Sequence, residues 1–266
     1  MAITTLDGVI AGFQPPQEWA KTGAGTQVLG RYYSTFYAAG RPGPAVAPTP
    51  GMAGAALTAY AGQIPFPNGA AAQYLAKANI WANVSGCLVI CDRLWHQSGI
   101  SVTTTTAQTI NSVAWPARDS NGSTNGEGVR IGLEVSTATG AGASVHSISY
   151  TDQSGNAGAT GSPRIAYAAS SIAGAFYDYG LAAGDTGVRS VQSFTSTVSM
   201  SSGVIHLVAY RELARIPTTG LVEFGQDLLG IGMPELFNDT VPFLLWFPTA
   251  TTAPSVLAGQ IIYTHG

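Results

Sequence analysis

The chain has 266 residues with 11 Lys+Arg and 14 Asp+Glu, so 9% are charged against roughly 25% in an ordinary soluble domain, while hydrophobic residues reach 45%. That hydrophobic share excludes a disordered chain; the longest strongly apolar run, Phe243 to Phe247, is far short of the roughly 20 residues of a spanning helix; and 33 glycines without a period of three exclude collagen. With a net charge of −3 and only Lys21 and Lys77 beside nine scattered arginines, the composition predicts neither a nucleic-acid partner nor a membrane partner.

The opening stretch, Met1 to Asp7, has no basic n-region and no apolar h-region, which predicts a protein that folds where it is made. Residues 1–78 carry proline and glycine clusters (Pro15-Pro16, Pro42-Gly43-Pro44, Pro48 to Gly51) between short aromatic and alanine-rich pieces, and read as an extended N-terminal arm. Aromatic residues and arginine are enriched at subunit contacts while other charges are depleted. Trp19, Arg31, Tyr32, Tyr33, Phe36 and Tyr37 are therefore the arm's candidate contacts with another surface. On this reading, removal of residues 1–60 leaves a folded remainder. Asn68 is a plausible N-cap for the good helix formers that follow, predicting one short helix over 68–78.

Residues 79–266 are expected to form the main domain, built of strands. The first fall at 84–91 and 101–110, the four threonines Thr103 to Thr106 suiting an edge strand. Val129, Ile131, Leu133 and Val135 alternate with Arg130, Gly132, Glu134 and Ser136, the period of a strand with one buried and one wet face; its expected partner is 145–151. Further strands are predicted at 164–168, 188–198, 204–210, 220–224, 241–247 and 259–263. Asn121-Gly122, Asn125-Gly126, Gly155-Asn156 and Ser202-Gly203 supply residues that take positive φ cheaply. Short strands separated by such turns, without alternating helices, predict a mainly β fold: an antiparallel, jelly-roll-like β-sandwich with one or two short helices. The most apolar stretch, 228–247, reads as a core strand plus a loop closing one end, with subunit contact as the alternative.

Chemistry is sparse. Cys87 and Cys91 lie four apart, about 13 Å along a strand, too far for a disulfide, and read as buried small hydrophobes. A metal pair with His96 finds no further ligand, since His146, His206 and His265 lie far off without ligand spacing. No Gly-Lys-Ser/Thr, Gly-x-Ser-x-Gly or His-Glu-x-x-His occurs, so no catalytic residue, cofactor or metal is expected. The enzymatic alternative is a dispersed site around His96 or His206. Glu127 and Glu134 are seven apart, hence on opposite faces and more than roughly 20 Å apart on a strand, poor partners for glycoside hydrolysis. In Phe176-Tyr177-Asp178-Tyr179, Tyr177 and Tyr179 are candidate core or subunit-contact rings, or alternatively a platform for stacking a sugar.

The start Met1-Ala2-Ile3-Thr4-Thr5-Leu6-Asp7-Gly8, the Gly/Ala/Thr/Ser-rich strands, and Tyr150-Thr151-Asp152-Gln153-Ser154-Gly155-Asn156-Ala157-Gly158 after a strand resemble the tailed-bacteriophage virion structural proteins, in particular the capsid decoration or cement proteins of the head. The resemblance implies a non-enzymatic virion component, made in the host bacterial cytoplasm and placed on the capsid surface in many copies. It further implies self-association, often as a homotrimer, with the major capsid protein or other virion subunits as partners. It carries over no catalytic residue. A major capsid protein of the common phage type would show a long charged spine helix, which this sequence lacks. A major capsid protein, a tail tube or minor tail protein, and a carbohydrate- or receptor-binding sandwich module are the alternatives.

Overall fold

In the computed structural model, which describes residues 3–266, the chain runs through α1 (Leu6–Ala11), β1 (Gln17–Lys21), β2 (Tyr32–Ser34), β3 (Gly40–Arg41), β4 (Ala55–Ala56), β5 (Gln73–Ala82), β6 (Gly86–His96), β7 (Gln108–Thr109), β8 (Val129–Thr137) and β9 (His146–Asp152). It continues through β10 (Ala157–Pro163), β11 (Ala175–Gly180), β12 (Val188–Ser196), β13 (Val204–Thr218), β14 (Phe224–Gln226), α2 (Leu228–Ile231), β15 (Glu235–Leu236), β16 (Pro242–Pro248) and β17 (Leu257–His265). The fold is mainly β, antiparallel throughout its pairings and sandwich-like, with two short helices.

Its middle layer closes on itself. Strands β2, β16, β6, β13, β8 and β11 are neighbours in that order, and β11 pairs back to β2 through Ala175 with Tyr33 and Phe176 with Tyr32. Closure leaves no free edge in this barrel. Alternation then splits each strand between two environments. On β6, Val89 and Cys91 point into the barrel with Phe176, Val208, Tyr210, Phe243 and Leu245, while Leu88 and Ile90 point outward. Both faces are covered, so these strands read as nearly unbroken apolar runs.

Two outer layers cover the barrel. β10, β9, β12 and β7 continue beyond β11 as a curved half-barrel, and their Ile148, Tyr150, Val191 and Phe194 pack on Val129, Ile131, Leu133 and Val135 of β8. On another side the smaller sheet, ordered β14, β5, β17, β1, β3 with β15 also on β5, sets Trp19, Leu75, Ile80 and Ile261 against Leu88, Leu244 and Trp246. β13 serves both cores. Its register shifts between Ala209 and Tyr210 and between Glu212 and Ala214, so Ile205, Leu207 and Ala209 meet the half-barrel whereas Ala214 and Ile216 meet the smaller sheet.

Several expectations are corrected. Residues 68–78 hold no helix: most of that stretch belongs to β5, paired with β17 and β14. Alanine's helix propensity, at most a few tenths of a kcal/mol per residue over its competitors, yields to two ladders of interstrand hydrogen bonds. β8 and β9 do not pair; they face each other across one core, and β8 pairs with β13 and β11. Most of the second face of β8 is not wet: Gly132 and Glu134 are buried toward the barrel, and only Arg130 and Ser136 at its ends reach solvent. Within 101–110 only β7 is strand, since Ser101 Oγ takes Thr104 N–H and ties the segment into turns. Residues 164–168 are likewise irregular.

The proline- and glycine-rich N-terminal segment runs extended, but it docks on its own chain. β1 pairs along β17, β2 completes the barrel, and β4 pairs with β6. Lys21 is buried and donates from Nζ to the carbonyls of Ala38 and Gly43 at 3.3 and 3.1 Å, pinning the segment; burial pushes its amine down to about 8. The accessible surface, 10331 Å², lies near the roughly 10,900 Å² of a compact 27.3 kDa monomer. A free 60-residue arm would raise that area well above the compact value.

Candidate interaction surface

The rings expected to make subunit contacts are largely core. Trp19, 2% exposed, packs under the smaller sheet. Tyr33 is buried and its hydroxyl accepts from Val28 N–H at 2.7 Å; Arg31 lies over the Tyr177 ring at 5.0 Å. Phe36 stacks on Tyr60 at 5.6 Å inside one end of the barrel. Tyr177 and Tyr179 hydrogen-bond Ser171 Oγ and His146 Nδ1 at 2.5 and 2.6 Å, so neither offers a ring face for a sugar. Tyr32 and Tyr37 are only half-buried, and both hydroxyls are engaged, Tyr32 by Arg215 Nη1 and Tyr37 by Glu134. The physical reason is general: aromatics are enriched in interfaces and interiors alike because both bury large apolar area.

Several titratable groups are also internal. Inside the barrel Arg93 Nη2 meets Glu134 Oε2 at 2.8 Å with both side chains fully buried. Tyr37 donates to the same oxygen at 2.8 Å, and the Arg93 guanidinium lies 4.4 Å from the Phe36 ring centre. Burial by itself raises the Glu134 carboxyl, but the Arg93 charge and hydrogen bonds from Arg93, Ser34 and Tyr37 override it and hold the group below the usual range. A second pair, Arg118 Nε to Asp92 Oδ2 at 3.0 Å, ties the 118 loop to β6, and Arg118 also reaches the carbonyls of Leu57 and Arg93.

His96 sits edge-on to Tyr60, its ring held neutral by burial, which pushes it down to about 3 with help from Arg93. His206 bridges Ser136 Oγ at 2.8 Å and the Gln97 carbonyl at 2.9 Å, so Nδ1 carries the proton and Nε2 accepts from the serine; burial lowers it too. Neither histidine contacts a carboxylate. Cys91 lies in the barrel core with its thiol pushed well up by burial, and Cys87 is half-buried on the same strand. Among the described residues, no three His, Cys, Asp or Glu side chains gather as metal ligands.

Exposed large apolar side chains occur at several places on the surface, Val46 and Val145 among them, and one group of them lies on α1, β14 and α2. On α1 the buried residue is Val9, whereas Leu6 and Ile10 are exposed. Leu221 at 73%, with Val222 and Phe224, projects along the β14 edge of the smaller sheet, and Leu229 on α2 reaches 83%. A cleft of about 230 Å³ lined by Leu6, Val9, Leu228 and Met233 joins the two helices. β14, with only three residues and a single partner strand, leaves the sheet edge open there. These positions were missed because Leu221-Val222 reads in sequence as a strand facing a core. The available signal was the shortness of the run between Gly220 and Gly225, too brief to be covered on both sides.

No family model matches the chain, and no curated protein matches it. Among solved structures, the infectious bursal disease virus VP2 subviral particle aligns over 96% of this chain and 81% of its own, at 7% identity and a TM-score of 0.18. Particles derived from the same virus, with T=1 architecture, align over 96% and 78%, at 8% identity and 0.18. At such scores the likeness conveys neither fold nor function.

Proposed function

We propose that this chain is a non-enzymatic structural subunit of a virion, held in a larger assembly through the apolar edge formed by α1, β14 and α2. The observation that carries the reading is the exposure of Leu6, Ile10, Leu221, Val222, Phe224 and Leu229 along one edge of a chain with only 9% charged residues. Exposed large apolar side chains beside an open sheet edge mark a contact site, because such an edge is a ready template for a partner strand. The burial of the ion pairs and of His96, His146 and His206 favours structural roles for those groups.

The finer reading is a capsid decoration protein, made in the host bacterial cytoplasm, that associates with itself as a homotrimer on the capsid surface and contacts the major capsid protein. Its support is the resemblance in sequence to phage head proteins. The mechanism is mass action: a partner that binds only the assembled shell stabilises that state. Hydrogen exchange tests the assignment of the edge. Backbone amides in 3–13 and 221–233 gain protection as the protein is concentrated, while exposed turns such as 153–156 do not. Concentration-independent exchange across the edge would overturn it.

A further inference from the structure

We propose that the half-barrel carries a binding site for a small neutral molecule that combines an apolar ring or branched group with one oxygen acceptor, received by His146. This rests on observations independent of the assembly edge. A cavity of about 470 Å³, within the usual range for small-molecule sites, opens where β9 begins and β10 ends. Its mouth is set by Ala143, Val145, Ser162 and Ala166, all exposed, and its floor includes the buried His146 and Tyr167. No charged side chain lines it, which favours a neutral guest.

The chemistry of His146 defines the contact. Burial pushes the imidazole down to about 3, so the ring is neutral and bears one N–H. Tyr179, whose hydroxyl burial raises well above its ordinary value, keeps its proton, and its one side-chain partner is His146 Nδ1 at 2.6 Å. The tyrosine therefore donates, Nδ1 accepts, and the hydrogen resides on Nε2. That Nε2 is buried and has no partner among the described residues. Buried donors are nearly always paired, by protein, by ordered water or by a ligand. Tyr167, Tyr179 and Phe194 hold the imidazole, with ring centres 5.2, 5.5 and 5.7 Å from it, and of these Tyr167 also lines the cavity, where with Val145, Pro163 and Ala166 it makes an apolar wall for a ring or branched chain. Tyr167 is itself fixed by its hydroxyl to Thr139 Oγ1 at 2.7 Å. An oxygen acceptor brought against this wall completes the one bond the site lacks.

The test uses the full chain with two probes of similar shape, acetophenone, which carries a carbonyl acceptor, and ethylbenzene, which does not. Histidine side-chain proton–nitrogen correlation spectra follow the His146 ring. The site binds acetophenone saturably with a downfield shift of the Nε2 proton, and prefers it to ethylbenzene by about threefold to tenfold, the usual worth of one hydrogen bond. Ala166→Trp fills the mouth from an exposed position and abolishes binding with the rest of the spectrum unchanged. The proposal is overturned if acetophenone gives no saturable shift, if the two probes bind equally, or if Ala166→Trp leaves binding intact; any of these assigns Nε2 to an ordered water.

Discussion

Replacing Arg93 with methionine is predicted to destabilise the protein by about 3–4 kcal/mol near neutral pH, within the range for removing one partner of a buried ion pair. Methionine keeps most of the apolar stem, so the loss is chiefly electrostatic. Glu134 is fully buried and 2.8 Å from the lost guanidinium, and it keeps only the hydrogen bonds from Ser34 and Tyr37. The contacts of Arg93 with the Phe36 and Phe243 rings, at 4.4 and 5.5 Å, disappear as well, worth about 0.5–2 kcal/mol together. The pH dependence identifies the cause. In the native protein Glu134 sits below its ordinary value, so its stabilisation is present above the unfolded pKa and is lost as pH falls through the folded one. In Arg93→Met burial is opposed only by the hydrogen bonds from Ser34 and Tyr37, and the folded pKa is expected to rise above the unfolded value. The native state then binds the extra proton, and the penalty shrinks as pH is lowered toward 4. Arg93→Met with Glu134→Leu, which removes both charges, recovers most of the loss. Urea denaturation of the four proteins at pH 7 and pH 5, at unchanged m-value, measures the cycle. A single-variant cost below about 1 kcal/mol, or a double variant as damaged as the sum of the singles, would refute a buried, mutually dependent pair.

Stability is also expected to fall steeply with acid. His96, His146 and His206 are all depressed by burial, so below pH 6.5 the unfolded chain binds protons the native one refuses. Each contributes a slope of up to about 1.4 kcal/mol per pH unit, and His146→Phe removes one such share in urea melts between pH 6 and pH 5. Gly132→Ala places a Cβ about 2.0 Å from Phe176 Cζ, in a ring cluster with Tyr210 at 5.3 Å, and costs about 1–3 kcal/mol in thermal melts. Removal of residues 1–60 takes away β1 to β4, reopening the barrel and uncovering the smaller sheet's core, and circular dichroism should show the loss of the native β spectrum rather than a folded remainder.

Much of the strand inventory was legible because the chain obeys local rules. The alternation of Val129 to Val135 places those residues on one core face, and the predicted strands at 188–198, 204–210, 241–247 and 259–263 fall on β12, β13, β16 and β17. Pairing was not legible. β8 and β9 look like a hairpin across a short polar loop, yet the chain between them crosses from barrel to half-barrel. The β5 alternation, with Leu75, Ala78, Ile80 and Ala82 inward, was hidden because alanine marks a helix as readily as a tightly packed strand. The aromatic cluster misled for a related reason. Composition distinguishes buried from exposed poorly when a ring may be buried by its own chain or by another, so Tyr33 and Phe36 looked like contact residues when they are core, and Tyr177, read as core or contact, is core. The pocket at His146 depends on Tyr179 and Tyr167 meeting it from distant positions, which no spacing announces.

The most direct test of the assembly claim is the mass of the purified chain by light scattering behind size exclusion. At about 100 µM the account predicts a trimer of about 82 kDa or a larger closed assembly, and Val222→Glu with Leu229→Glu, both exposed, returns it to the 27.3 kDa monomer with its circular dichroism intact. A wild-type chain that stays monomeric at that concentration, or an assembly indifferent to the two glutamates, would contradict it.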